Sequence, residues 1–230
     1  MLKLVNVSKS YRRVRVVDNV SFELEGGQTL GIIGSNGAGK TTLVSMIATL
    51  IRPDNGSITL DGVDLVREPA KVRPLIGYVP QDIALYESLS GMDNMKFWGK
   101  ACGVPRDMLK QRISEVGRII SFDEELLKEK VADYSGGMKR RLNIGVALLH
   151  SPKLVIMDEP TTGVDLQSGR QILDAIEDLR KSGIAVLYVG HYMEEIERIS
   201  THLCVMNSGK IVRFGEKDMV LDGRKLSELI

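Results

Sequence analysis

At 230 residues, 43% hydrophobic and 27% charged, the chain has the make-up of a globular protein with room for one large domain or two small lobes. A net charge of +1 gives no strong field toward nucleic acid or an acidic membrane surface, so no nucleic-acid partner is expected. No apolar run approaches the roughly 18 residues that cross a bilayer, and Met1-Leu2-Lys3-Leu4-Val5-Asn6 lacks the apolar core of a secretory signal. The expected place is therefore the cytoplasm, and work at a membrane needs another protein to hold the chain there. The two cysteines, Cys102 and Cys204, have no metal-ligand spacing and are expected to be reduced, buried thiols.

The first stretch reads as strands. Leu2–Val7 alternates, and Val20–Leu24 and Thr29–Ile33 flank the turn Glu25-Gly26-Gly27-Gln28. Ser57–Leu60 ends at Asp61-Gly62, and Ile76–Val79 is stopped by Pro80. From about Ser88 to His150 helical periods dominate, with Leu142, Val146 and Leu149 on one face. Strand and helix then alternate. Leu154–Met157 and Ala185–Val189 are wholly apolar, as strands buried on both faces must be, and a helix over Leu166–Lys181 separates them. Leu203–Met206 and Lys210–Phe214 flank Asn207-Ser208-Gly209, a hairpin signal, and the tail from Glu216 is expected to be helical. The pattern predicts one domain: an α/β core with an antiparallel β flank over residues 1–85 and 151–230, and an inserted helical lobe over residues 86–150.

Three short segments carry chemistry. The first is Gly34-Ser35-Asn36-Gly37-Ala38-Gly39-Lys40-Thr41, a full G-x-x-x-x-G-K-[ST] phosphate loop between an apolar strand and a helix with Leu43, Met46, Ile47 and Leu50 on its apolar face. Glycines let bare N–H groups curl onto phosphate oxygens, and the helix N-terminus adds partial positive charge. Lys40 reaches the β- and γ-phosphates and the Thr41 hydroxyl can ligate Mg²⁺. This fixes a nucleoside triphosphate, not which one. The second is Asp158-Glu159 at the carboxyl end of an apolar strand, where ligands of open parallel sheets gather. Asp158 can hold Mg²⁺ directly or through water. Side-chain alternation turns Glu159 elsewhere, either to polarise the attacking water or to cap the turn at Pro160. The third is Ser135-Gly136-Gly137-Met138, a good N-cap followed by uncovered first-turn N–H groups: a second anion-binding helix end.

Through these three segments the sequence resembles the ABC ATPase family over about residues 2–215. Its L-S-G-G-Q signature stands here as Tyr134-Ser135-Gly136-Gly137-Met138. The resemblance implies a P-loop NTPase core with an antiparallel β subdomain and an inserted α-helical subdomain. It implies ATP and Mg²⁺ as ligands, and two modules packed head to tail, the signature of one facing the γ-phosphate held by the other. The second module is another copy or a homologous ATPase, and the pair drives a transmembrane permease subunit. The nucleotide-binding set is then Tyr11, placed to stack on adenine, with Gly34, Ser35, Asn36, Gly37, Ala38, Gly39, Lys40, Thr41 and Thr42. Ser135, Gly136, Gly137 and Asp165, the last in the D-loop Gly163-Val164-Asp165, act across the dimer. Thr41, Gln81 and Asp158 belong to the metal, and Glu159, His191 and Gln81 to catalysis.

Taken singly, Tyr11 would be a strand-edge aromatic, Gln81 a polar loop residue and His191 a structural histidine. Three positions depart from the family pattern: Val164 for Leu, Gly190 for Thr or Ser before His191, and Met138 for Gln. Met138 cannot complete a capping box. Tyr-Ser-Gly-Gly-Met followed by Lys139-Arg140-Arg141-Leu142 resembles modules of drug and polysaccharide exporters, which favours export. Many of those modules carry an added C-terminal region, for which a chain ending at Ile230 leaves no room. Ile83, Leu85, Tyr86 and Leu89 are either core or the permease contact. The competing class is a non-transport ABC-type ATPase of DNA repair or translation, disfavoured by a single module with no heptad run.

Overall fold

The computed structural model describes residues 1–229. Its elements run β1 (Leu2–Tyr11), β2 (Val14–Leu24), β3 (Thr29–Ile33), α1 (Lys40–Ile47), β4 (Asn55–Leu60), β5 (Val63–Asp64), α2 (Pro69–Val72) and β6 (Ile76–Val79). Four helices follow: α3 (Gly91–Ala101), α4 (Arg106–Ile119), α5 (Glu124–Lys128) and α6 (Gly136–Leu148). Then come β7 (Leu154–Asp158), α7 (Leu166–Lys181), β8 (Ala185–Val189), α8 (Met193–Ile199), β9 (His202–Asn207), β10 (Lys210–Glu216) and α9 (Lys217–Leu221).

Two sheets form. The larger has the order β10-β9-β3-β8-β7-β6 and is parallel except for the β9–β10 hairpin. The smaller, β2-β1-β4-β5, is antiparallel. Every residue of β3, β7 and β8 is buried, which explains their unbroken apolar runs. Alternation along β7 sends Leu154 and Ile156 into one core and Val155 and Met157 into another. The first core joins the two sheets through α1, with Leu2, Phe22, Ile32, Leu43 and Ile58. The second joins the opposite face of the large sheet to the helices between β6 and β7, through Met95, Ile113, Val116, Leu142 and Leu149.

Because β8 pairs in parallel with both β3 and β7, the loops leaving these three strands emerge side by side. That places the phosphate loop, the Asp158-Glu159 turn and the His191 loop at one edge.

Three expectations need correction. Leu50 is exposed, because α1 stops at Ile47 and the chain turns at Thr49 with φ 61°. Cys102 is exposed in the turn after α3, while Cys204 is buried in β9. Glu159 does not follow strand alternation, since β7 ends at Asp158 and Glu159 takes a left-handed φ of 50°. Among the described residues no helix is long and apolar enough to cross a membrane.

Candidate nucleotide site

The phosphate loop is tied down on both sides. Gly34 has φ 152°, and a Cβ there would lie 2.2 Å from the Met206 carbonyl oxygen. Gly39 has φ 97°, and its Cβ would meet the Val16 carbonyl oxygen at 2.4 Å. Both positions demand glycine for conformation and for room. Lys40 folds back into the loop, its Nζ donating to the carbonyls of Gly34 at 2.7 Å and Ser35 at 3.1 Å. Burial lowers the Lys40 pKa, and the nearby carboxylates of Glu159 and Asp158 oppose that shift. The ammonium is thus held on weak neutral acceptors, ready to be re-engaged by an anion. Ser35, Asn36, Gly37 and Thr41 are exposed along the loop, Thr42 is half-buried, and Ala38 is buried. Tyr11 ends β1, 47% exposed as a residue, with the Lys9 ammonium 5.8 Å from the ring centroid.

Beside the loop stand the acidic residues. Asp158 is buried, and desolvation together with the Glu159 charge raises its pKa, while Lys40 and His191 pull it down. Glu159 is held at both oxygens. His191 Nε2 lies 2.5 Å from Oε1; Gln81 Nε2 donates to Oε2 at 3.1 Å and the Thr162 hydroxyl at 3.3 Å. The Glu159 backbone N–H donates to the Val189 carbonyl at 2.8 Å, which joins its turn to the His191 strand. A left-handed backbone at a non-glycine residue is strain of the kind kept at working sites. So the structure brings Gln81, Glu159 and His191 into one cluster, with Asp158 and Lys40 electrostatically coupled to it.

The signature turn is built differently. Ser135 caps α6, its hydroxyl accepting from the Met138 N–H at 3.2 Å. Met138 supplies no return bond, so only half of a capping box exists. Ser135 and Gly136 are exposed. Gly137 is buried against the D-loop: a Cβ there would come within 2.1 Å of Ser168 Oγ and 2.9 Å of Asp165 Oδ2. Within this chain Asp165 has a local task, capping α7 by accepting the Ser168 N–H at 2.9 Å.

Lys40 and the coupled carboxylates of Asp158 and Glu159 form one charged cluster beside the loop, and comparison with known proteins gives the family. The profile of the ABC transporter family matches residues 17–162. The chain belongs to the ABC transporter family. It is 43% identical to the linearmycin resistance ATP-binding protein LnrL of Bacillus subtilis strain 168, over 94% of this chain and 70% of that one. It is 38% identical to the doxorubicin resistance ATP-binding protein DrrA of Mycobacterium tuberculosis strain CDC 1551 / Oshkosh, over 94% of this chain and 66% of that one. A solved ATP binding subunit of an ABC transporter superposes with a TM-score of 0.89 at 28% identity, covering 100% of this chain and 97% of the other. The protein is thus an ATP-binding, ATP-hydrolysing ABC cassette that serves transport.

In the sequence Arg140 had a place only in the exporter-like run after Met138, and Asn143 had none; their contacts in the next turn of α6 were missed. There, Arg140 donates to the Pro80 carbonyl at 3.0 Å, and Asn143 Oδ1 accepts the Ala84 N–H at 3.2 Å. Both side chains are buried, and together they grip the loop of Gln81 on both sides. The signal was available: polar residues on a helix that is otherwise core are unusual unless they are paired.

Proposed function

We propose that this cassette works as one half of a head-to-tail pair, docked on a separate transmembrane permease subunit at the cytoplasmic face, and drives export. In this reading Lys40, Thr42 and the loop N–H groups hold the phosphates and Tyr11 stacks on adenine. Ser135, Gly136 and Gly137 close over the γ-phosphate of the partner's nucleotide, with Asp165 at the same seam. Losing that phosphate on hydrolysis removes charge-assisted contacts from the seam and reopens the pair.

The observation that carries the reading is the convergence of Gln81 and His191 on Glu159. Glu159 is the general base for the attacking water. Each of its oxygens already accepts from a donor, so an attacking water competes with Gln81 and His191 for the carboxylate lone pairs and binds best when one of them lets go. His191 then turns to the γ-phosphate and Gln81 to the water. Catalysis therefore waits on a change in those two loops, which is how a nucleotide or a permease can govern it.

Mg²⁺ fits the donor set. Among the described residues no group of three His, Cys, Asp or Glu side chains is placed to hold a metal. Magnesium bound with a nucleotide needs only one or two carboxylates plus hydroxyl and phosphate oxygens. Asp158, the Thr41 hydroxyl and the Gln81 amide oxygen supply such a set, and the raised Asp158 pKa describes a buried anion that a cation would relieve. Bound there, the ion neutralises charge on the phosphates.

Export draws support from the resistance proteins named above, and the DNA-repair or translation alternative draws none. For the permease contact, Ile83, Tyr86 and Leu89 are exposed beside Phe97, whose ring packs edge-on against Tyr86 with centroids 4.9 Å apart, while Leu85 turns into the core. An aromatic surface next to the Gln81 loop suits a partner that must move that loop.

Glu159→Gln tests the assignment. Turnover should fall by about 10²–10⁴, the usual worth of a general base, while ATP binding persists and a dimer accumulates in size-exclusion chromatography with ATP. Hydrolysis at the wild-type rate would remove the base.

A further inference from the structure

Tyr188 is the largest fully buried side chain, and it sits in β8 three residues before His191. A tyrosine so placed must find a partner for its hydroxyl. It donates to Glu195 Oε2 at 2.7 Å. The Thr161 hydroxyl donates to the same oxygen at 2.6 Å, and the two hydroxyls lie 3.2 Å apart. Thr161 follows Glu159 by two residues, and Glu195 lies in the first turn of α8, just past His191. One carboxylate oxygen thus ties the loop that carries Glu159 to the strand and helix that flank His191.

Gly190 belongs to the same device. Its φ is outside the left-handed region, so its backbone does not require glycine. Its space does: a Cβ would lie 2.6 Å from Tyr188 Cε1 and 3.3 Å from the phenol oxygen. The Tyr188 ring occupies the volume that a side chain at position 190 would fill. The absence of Thr or Ser before His191 is therefore a consequence of Tyr188, whose hydroxyl comes from two residues earlier. Beyond the Glu159 N–H to Val189 carbonyl bond at 2.8 Å, a cleft of about 750 Å³ opens beside the two loops, lined by Thr161, Asp165, His191 and Glu195 among others.

We infer that Tyr188 is a positioning residue for hydrolysis: through Glu195 and Thr161 it fixes the Glu159 turn against the His191 loop, and Gly190 makes room for it. This rests on the assignment of Glu159 and His191 proposed above. The tie explains how a pair joined by a single short contact can separate and re-form in one geometry, since the loops beneath keep their spacing.

The experiment uses the full chain and measures steady-state ATP hydrolysis, ATP affinity and Tm. Tyr188→Phe keeps the ring and its packing and removes the hydroxyl. We expect kcat to fall about tenfold, with KM for ATP within about twofold, the signature of an interaction needed only for the chemical step. Thr161→Val should fall by a similar factor, and the double variant should be no worse than either single one, because both hydroxyls act through one oxygen. Glu195→Gln keeps an acceptor oxygen and should retain kcat within about twofold, which a role for the Glu195 charge would not allow. If Tyr188→Phe fails to fold, Thr161→Val against Glu195→Gln decides the question. A Tyr188→Phe kcat within about twofold of wild type, or multiplicative losses in the double variant, overturns the inference. Glu159→Gln, run in parallel, separates the two readings. If it is inactive while Tyr188→Phe is unaffected, the positioning role alone is lost; if it is fully active, the catalytic assignment and this inference fall together.

Discussion

The phosphate loop and the signature turn are both glycine-rich entries to a helix, yet only one is a finished site. At the phosphate loop the chain supplies a cation of its own, Lys40, parked on the carbonyls of Gly34 and Ser35. The loop is braced by Val16 and Met206, so its donors are pre-aimed and a phosphate only displaces weak contacts. At the signature turn Ser135 and Gly136 stand in solvent with no charged side chain folded over them, and the turn leans on Asp165 and Ser168 of its own chain. In the proposed pair, one end captures and the other closes over what the partner has captured. Affinity should therefore reside at the first and turnover at the second.

The sharpest way to break this contrast is Lys40→Ala. ATP affinity should drop by more than about 100-fold, since a charge-assisted contact to two phosphates is lost with nothing to replace it, and hydrolysis should vanish with it. Titration of the single chain with a fluorescent ATP analogue measures this. If affinity survives Lys40→Ala and disappears with a change at Gly136, the roles of the two ends are reversed.

A smaller effect separates folding from function within the signature itself. Gly137→Ala puts a methyl within 2.1 Å of Ser168 Oγ and 2.4 Å of Ser168 Cβ. Overpacking of this kind costs about 1–3 kcal/mol and should lower Tm by roughly 3–10 °C. Gly136→Ala meets only the Gly163 carbonyl oxygen at 3.9 Å, so its Tm should hold within about 1 °C or rise slightly. Its ATP affinity should also hold, while turnover falls, because in the proposed pair the added methyl stands where the partner's γ-phosphate would approach. Calorimetry beside a turnover assay distinguishes the two variants, and equal loss of Tm in both would show the signature turn to be structural.

These differences also mark what the sequence could show. The positions of the phosphate loop, the Asp158 strand end and the Ser135 helix cap were legible because each is local, a few consecutive residues at a strand end or a helix start. The order of the apolar runs predicted the parallel core and the β9–β10 hairpin for the same reason. What was not legible depends on tertiary contact. Strand alternation misdirected Glu159, whose left-handed turn shows only in the backbone. The grip of Arg140 and Asn143 on the Gln81 loop joins residues about sixty apart in the chain, whereas the Asp165 cap of α7 is a local contact with Ser168 that was passed over. Gly190 was visible as a departure, but the folding of the Tyr188 ring into the space of a side chain at 190 was not, because the sequence does not show which way that ring turns.

The smallest effect concerns the other end of α6. If the signature end is free to engage a partner, the far end should be anchored, and His150 is the anchor. Its Nε2 lies 3.0 Å from the Ile76 carbonyl oxygen. A carbonyl only accepts, so the proton sits on Nε2 and the neutral ring suffices. Ile76 begins β6, the strand that leads to Gln81. Burial lowers the His150 pKa, Arg112 adds to that, and the Ile76 bond opposes it. The folded value therefore lies below the free imidazole value of about 6.5. The unfolded chain binds the proton more readily, so the contribution of neutral His150 is complete above about pH 6.5 and is lost as pH falls through the folded value. Tm should decline on acidification from pH 7.5 to 5, by less than Gly137→Ala causes, and His150→Gln should flatten that decline. ATP affinity at the phosphate loop should not follow it, because the contacts of His150 and Lys40 share no residue. A Tm profile that keeps its slope in His150→Gln would move the anchor of α6 elsewhere, leaving Arg112, which donates to the Leu148 and Leu149 carbonyls at 2.9 and 3.1 Å, to hold that end alone.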